Sequence, residues 1–296
     1  MRRVCKRKVQ IDALVMCYEV ANLYCYEQLG RLEMGQIISI DKLALQRIEG
    51  RYYDNEYNIK LCDAEQNIML GQLKFGIAGG NEQSNTHANG LRKVWIKIDN
   101  EVLYGQNLHY ATYIERILGL KYHNITALDL CLDTPFKISS LVKSYIHNPN
   151  ITTILNGKLI TDRNKDYKEI TYTHSGSLNN QNKYLTVCVK QKKAVTDKSK
   201  GITLTMYDKE AEIRNKSGKK YILDYYGRPK SLYRTEIHLN NENIRSYLER
   251  NRIENAPLFI YDEAVIDNMF FHFLNRLIRF HSKYKDVSWK HILGRS

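Results

Sequence analysis

Short runs in which apolar and polar residues alternate dominate the first three quarters of the chain. Alternation of this kind marks a half-buried strand, because successive side chains point to opposite faces. It predicts strands over 9–18 (VQIDALVMCY), 59–63 (IKLCD), 72–78 (QLKFGIA), 94–99 (VWIKID) and 125–133 (ITALDLCLD). Four more are predicted over 169–176, 183–190, 202–207 (ITLTMY) and 231–239 (SLYRTEIHL). Helical spacing is rarer, and falls at 107–119, 138–147, 208–215 and 241–251. The longest helix is predicted over 262–284, where Val265, Met269, Phe273 and Leu277 recur on one stripe. Its acidic start and basic end suit the helix dipole. Several strands follow one another without a helix of crossover length. The pattern therefore predicts an α+β fold, a mainly antiparallel β-sheet with flanking helices. The main domain is expected over 1–245. A helical C-terminal region, 246–296, follows it, its apolar stripe serving as core or as a homodimer contact.

Reading the strands by face brings out the chemistry. In ALDLCLD, Leu128, Leu130 and Leu132 line one side, while Asp129, Cys131 and Asp133 line the other. In LYRTEIHL, Arg234, Glu236 and His238 share a face. In ITLTMYDK, Tyr207 lies on the polar side with Thr203 and Thr205, followed by Lys209 if the strand runs on. Each polar face has an ordinary explanation, since one face of an antiparallel sheet often meets water. Arg234 and Glu236 then form a surface pair of little worth, and Asp133, before Thr134 and Pro135, only ends its strand. If the three faces converge, the reading changes. Asp129, Glu236 and Asp133 can then hold Mg²⁺ or Mn²⁺, hard cations that take oxygen ligands and suit phosphate substrates. Tyr207 can attack phosphorus, Lys209 can neutralise the phosphate or ease deprotonation of the tyrosine, and Arg234 can clamp a non-bridging oxygen.

Charge favours an anionic partner. Forty-five Lys and Arg against 32 Asp and Glu leave a net charge of +13, spread over RRVCKRK at the start, KQKK at 190–193, KSGKK at 216–220 and RLIRFHSKYK near the end. Such an excess draws nucleic acid by long-range attraction and counterion release. The six cysteines form no C-x-x-C pair and no finger-like spacing with histidine, so free thiols in a reducing cytoplasm are expected. No apolar run approaches the roughly 20 residues of a membrane span, so no membrane partner is expected.

In their order along the chain, the IDALV strand, YGQN at 104–107, ITALDLCLD, MYDKEAEI and LYRTEIHL resemble the replication initiators of rolling-circle elements. The likeness is to the filamentous phage gene II-type replication proteins and to the Rep-trans initiators. It runs over about residues 9–250. The resemblance implies that Tyr207 is the nucleophile, Asp129 and Glu236 the carboxylates, and Arg234 and Lys209 their basic companions. Gly105, Gln106 and Asn107 look like the family's G-x-N element. Ala127 stands where the family usually has Arg, and no His-hydrophobic-His pair is present, which leaves a carboxylate-ligated metal or none. The resemblance further implies an enzyme that nicks its DNA origin, stays on the 5′ phosphate and leaves a 3′ hydroxyl for a polymerase. The home it implies is a phage, plasmid or mobile element in a bacterial cytoplasm. The G-x-x-x-x-G-K-[ST] motif is absent, so unwinding would fall to a host helicase or to supercoiling. Tyr225 or Tyr226 would be a second tyrosine, for termination. Trp95 and Trp289 either stack on bases or belong to the core. The alternative is a non-catalytic, sequence-specific DNA-binding protein.

Overall fold

The computed structural model describes residues 8–63, 66–105, 107–161, 167–175, 184–191, 201–283 and 285–295. Gln106, the basic residues at 1–7 and 192–193, and the loop at 176–183 lie outside the described residues. Helix makes up 34% and strand 41%, so neither class dominates and the fold is mixed α+β with a large antiparallel sheet. Two compact units are present. One comprises Asp12–Leu128 and Leu248–Tyr261, the other Met1–Ile11, Asp129–Tyr247 and Asp262–Ser296. The residues after 245 are thus shared between the two.

The first unit draws on seven strands, β1 (Gln10–Val20), β2 (Ile37–Ile40), β3 (Leu43–Ile48), β4 (Tyr53–Asp63), β5 (Gln66–Ile77), β6 (Lys93–Ile98) and β7 (Leu120–Thr134). Their spatial order is β7-β1-β6-β5-β4-β3-β2. Residues Met16 to Val20 of β1 are all buried, so this central strand is covered on both faces rather than on one. The antiparallel register sets Leu14 opposite Ile98 and Cys17 opposite Trp95. Trp95 packs on Tyr53, ring centroids 5.4 Å apart, and is a core residue rather than a base-stacking platform. The helix His109–Leu118 falls inside the predicted 107–119 and ends at Gly119. Gly119 has φ +59°, and a Cβ there would lie 2.6 Å from the Asn22 Cβ, so glycine alone allows the chain to turn tightly into β7.

The second unit contains the end of β7 together with β8 (Ile151–Leu155), β9 (Lys158–Leu159), β10 (Ile170–Ser175), β11 (Tyr184–Lys190), β12 (Thr203–Asp208), β13 (Tyr233–Asn240), β14 (Ile278–Ser282) and β15 (Asp286–Val287). Five of these lie in the order β10-β11-β12-β13-β7, and a second sheet runs β15-β14-β8-β9. The helix Ile138–His147, at its predicted bounds, buries Ile138, Val142 and Ile146 and contacts β8, β11, β12 and β13. Leu204, Met206 and Ile237 are fully buried.

The long C-terminal helix is shorter than its pattern predicts, and the C-terminal region is not wholly helical. The helix runs Glu263–Leu277, and Ile278 switches to extended backbone at φ −150°, ψ 133°. Residues 278–282 form β14, with Ile278 opposite Leu155 and Phe280 opposite Thr153. Ile278 and Phe280 are buried while Arg279 is exposed, a period of two that burial rewards only as a strand. Trp289 is buried too, its indole N–H donating to the Ile278 carbonyl at 2.9 Å.

Cys17 and Cys131 are buried, and burial pushes the Cys17 thiol up to about 12, whereas Cys62 is exposed. Alkylation of the native protein with iodoacetamide at about pH 8 should therefore modify Cys62 before Cys17 and Cys131, which react only after denaturation. Peptide mass spectrometry reads the order, and early labelling of Cys17 would contradict this packing.

Candidate active site

Strand parity and register bring together the side chains that the sequence singles out. β12 and β13 are antiparallel, with Thr203 opposite His238, Thr205 opposite Glu236, and Tyr207 opposite Arg234. Opposed residues share a face, so Tyr207 stands above Arg234 and diagonal to Glu236. Its hydroxyl donates to the Glu236 Oε2 at 2.9 Å. A phenol O–H held on a carboxylate is aligned to lose its proton to that carboxylate.

Arg234 lies beneath this pair and has no exposed surface. Its Nε donates to Asp133 Oδ1 at 2.8 Å and its Nη2 to Asp133 Oδ2 at 2.6 Å, a bidentate pair between two side chains that are both fully buried. Its Nη1 is 3.9 Å from Glu236 Oε2. Both Asp133 oxygens are thus occupied, and the carboxylate is sealed from solvent. It does not suit a metal that must also meet a substrate, and Arg234 is too deep to clamp a phosphate directly. The pair instead fixes the base on which Glu236 stands.

Asp129 takes a different partner. Its Oδ1 lies 2.5 Å from His238 Nδ1, and both side chains keep partial exposure, 21% for Asp129 and 37% for His238. The sequence places His238 on the right face without giving it a task. Glu236, at 22%, is exposed to a similar degree. Two carboxylates on adjacent strands, each open to solvent on one side, suit a hard cation that completes its shell with substrate oxygens and water. Three donors from Asp129, Glu236 and His238 do not gather into a closed cluster among the described residues.

Lys209 reaches the site by a route that strand parity does not foresee. β12 stops at Asp208, whose carboxylate accepts from the Ala211 N–H at 2.9 Å and caps the helix Lys209–Glu212. The helix turn carries Lys209 Nζ to 5.7 Å from the centre of the Tyr207 ring and 2.9 Å from Glu212. Lys209 is buried and ion-paired with Glu212, so its ammonium is held beside the Tyr207 ring with little access to water. Asp208 itself serves the helix start, and burial raises its carboxyl above the usual range.

The remaining expected residues fall elsewhere. Gly105 caps the helix Asn100–Tyr104, and the Asn107 N–H donates to the Val102 carbonyl at 3.2 Å, so this element is a helix-ending turn in the first unit. Tyr226 is buried with its hydroxyl lacking a hydrogen-bond partner among the described residues, edge-on to Tyr225 at 4.9 Å. Burial, with Asp133 and Cys131 nearby, holds its phenol well above the ordinary tyrosine range, which makes it a poor second nucleophile. One cluster escapes sequence reasoning altogether. Glu19, His87 and His123, all in the first unit, place their ligand atoms within 4.8 Å of one another. They come from three distant segments, and no spacing motif signals them.

The chain matches no protein-family model and no curated protein.

The buried pair has a measurable consequence. Asp133→Ala should strip an unexposed guanidinium of its partner and cost about 3–5 kcal/mol in urea unfolding. Tyr207→Phe, which removes the part-buried hydrogen bond to Glu236, should cost about 1 kcal/mol. Similar small losses for both would mean that the Arg234–Asp133 pair does not organise the site.

Proposed function

We propose that the protein is a DNA-nicking and rejoining endonuclease that initiates rolling-circle replication, with Tyr207 as the nucleophile. The observation that carries this reading is the 2.9 Å hydrogen bond from the Tyr207 hydroxyl to Glu236, with Asp129 against His238 on the same face and Lys209 beside the Tyr207 ring. In the proposed reaction the Tyr207 oxygen attacks a phosphodiester of single-stranded origin DNA. The new O–P bond joins tyrosine to the 5′ phosphate, and the P–O3′ bond breaks. Glu236 passes the phenol proton on to water and stays ionised, and the departing 3′ oxygen takes a proton from water. Lys209 offsets the charge on the phenolate and on the phosphorane-like transition state. Resealing runs the same steps backwards, with the 3′ hydroxyl attacking the phosphotyrosine.

Asp129 and Glu236 would hold Mg²⁺ or Mn²⁺, which supplies Lewis-acid polarisation of the phosphate oxygens. Asp133 has no place in that set, because both its oxygens serve Arg234. Its task is to hold Arg234, and through it Glu236, in place. The net charge of +13 supports binding to the origin duplex and to the exposed strand. The freed 3′ hydroxyl would prime a polymerase, with unwinding left to a host helicase. A phage, plasmid or mobile element in a bacterial cytoplasm would be the setting. No described helix is long and apolar enough to cross a membrane.

Incubation with single-stranded circular DNA from the element that encodes it, with Mg²⁺ or Mn²⁺, should yield a covalent protein–DNA adduct on a denaturing gel. Tyr207→Phe should abolish the adduct, Asp129→Ala and Glu236→Ala should lower its rate by about 10²-fold or more, and Tyr226→Phe should leave it intact. An adduct that survives Tyr207→Phe would remove Tyr207 from the role. Specific binding with no adduct under any metal would favour the non-catalytic DNA-binding reading.

A further inference from the structure

Glu19, His87 and His123 have the chemistry of a second, different metal centre. Glu19 sits on β1, His123 lies near the start of β7, and His87 lies at the base of a tight hairpin. That hairpin is closed by the bridge between Thr86 and Arg92 and by the His87 N–H donating to the Leu91 carbonyl at 2.8 Å. It docks on β1 through the Val20 N–H, which donates to the Arg92 carbonyl at 3.1 Å.

The two imidazoles are set as ligands are set. His87 Nε2 is 3.2 Å from the Tyr18 carbonyl, and a carbonyl only accepts, so Nε2 carries the proton and Nδ1 keeps its lone pair. A ring nitrogen anchored on a backbone carbonyl while the other is left to coordinate is the usual support for a metal-bound histidine. The His87 and His123 rings approach to 4.1 Å between centroids, and His123 Nδ1 is 3.5 Å from Glu19 Oε1. Glu19 and His87 are buried, whereas the His123 side chain is 42% exposed. Three donors thus meet with one side open to solvent.

Other groups facing the cluster do not close it. Asn89 Nδ2 donates to Glu19 Oε1 at 3.3 Å, which orients the carboxylate. Lys121, itself largely exposed, stands 3.9 Å from Glu19 Oε2, and Lys93 is near enough to act on His87 electrostatically. The Lys121 charge is screened by water, and Lys93 Nζ is held away on the Gln83 carbonyl at 3.1 Å.

We infer that Glu19, His87 and His123 bind a transition-metal dication of the zinc class, with a fourth position open beside His123. Two nitrogens and one carboxylate oxygen match Zn²⁺, which forms three-ligand sites of this composition, and suit Mg²⁺ poorly. The site is distinct from the oxygen-ligand pair at Asp129 and Glu236 and does not depend on the nicking reaction. Bound metal would pin the 86–92 hairpin to β1 and β7.

The test uses the whole chain, stripped with EDTA and dialysed against Zn²⁺, with metal content read by mass spectrometry and Co²⁺ used as a visible-absorption probe. One equivalent of Zn²⁺ is expected, with a tetrahedral Co²⁺ spectrum and a rise in melting temperature on metal addition. His123→Ala, an exposed change that spares the core, and Glu19→Gln should each weaken binding by about tenfold or more, while Asp129→Ala should bind as the parent does. Absence of stoichiometric uptake by the parent chain would overturn the site. So would undiminished uptake by both His123→Ala and Glu19→Gln, or loss of uptake in Asp129→Ala, since each would place the ion elsewhere.

Discussion

A guanidinium with no exposed surface is the constraint around which the second unit is arranged. Arg234 can be buried only because Asp133 meets it with two short, parallel hydrogen bonds. Isolated burial of either charge would cost several kcal/mol. The pair ties β13 to β7, its neighbour in the sheet. It also sets a fixed positive charge beside Glu236, and Glu236 receives the Tyr207 hydroxyl. The tyrosine is therefore aimed by a chain of contacts that begins in the core and ends at the surface. A phenol hydrogen-bonded to an exposed loop carboxylate would have no such support.

Around that axis, groups with similar chemistry take different tasks through burial alone. Asp133 and Asp129 lie on one face of one strand, yet the first is sealed and structural while the second is open and paired with His238. Tyr207 and Tyr226 are both in the second unit, but the Tyr226 hydroxyl lacks a hydrogen-bond partner among the described residues and is kept neutral by burial beside Asp133. Lys209 gains its position because a helix starts where the strand stops. These differences supply the division of labour in the proposed nicking reaction, in which a base, a nucleophile and a nearby cation must occupy separate environments.

Much of this was legible from pattern. The period of two placed Asp129 with Asp133, Arg234 with Glu236, and Tyr207 with the polar side of its strand, because parity needs no knowledge of neighbours. The helices at 138–147 and 241–251 lie at their predicted bounds, their apolar stripes being long enough to fix the period. Pairing between distant strands was not legible. That Asp133 meets Arg234 rather than a metal follows from the packing of β7 beside β13, which no local signal encodes. Parity also failed at Lys209, since Asp208 caps a helix instead of continuing the strand. The β2–β3 hairpin, Ile37–Ile40 with Leu43–Ile48, went unpredicted because β2 buries no side chain and carries two adjacent isoleucines that blur the period. In 262–284 a single helical stripe ran on into β14, where pairing with β8 overrides helix propensity.

The central claim is that one particular oxygen, the Tyr207 hydroxyl, takes the phosphate. Proteolysis of the covalent protein–DNA complex, followed by mass spectrometry of the nucleotide-linked peptide, tests it most directly. The account predicts a single adducted peptide spanning Tyr207, with the 5′ phosphate on that residue. A phosphate mapped to Tyr225, Tyr226 or any other residue would contradict it.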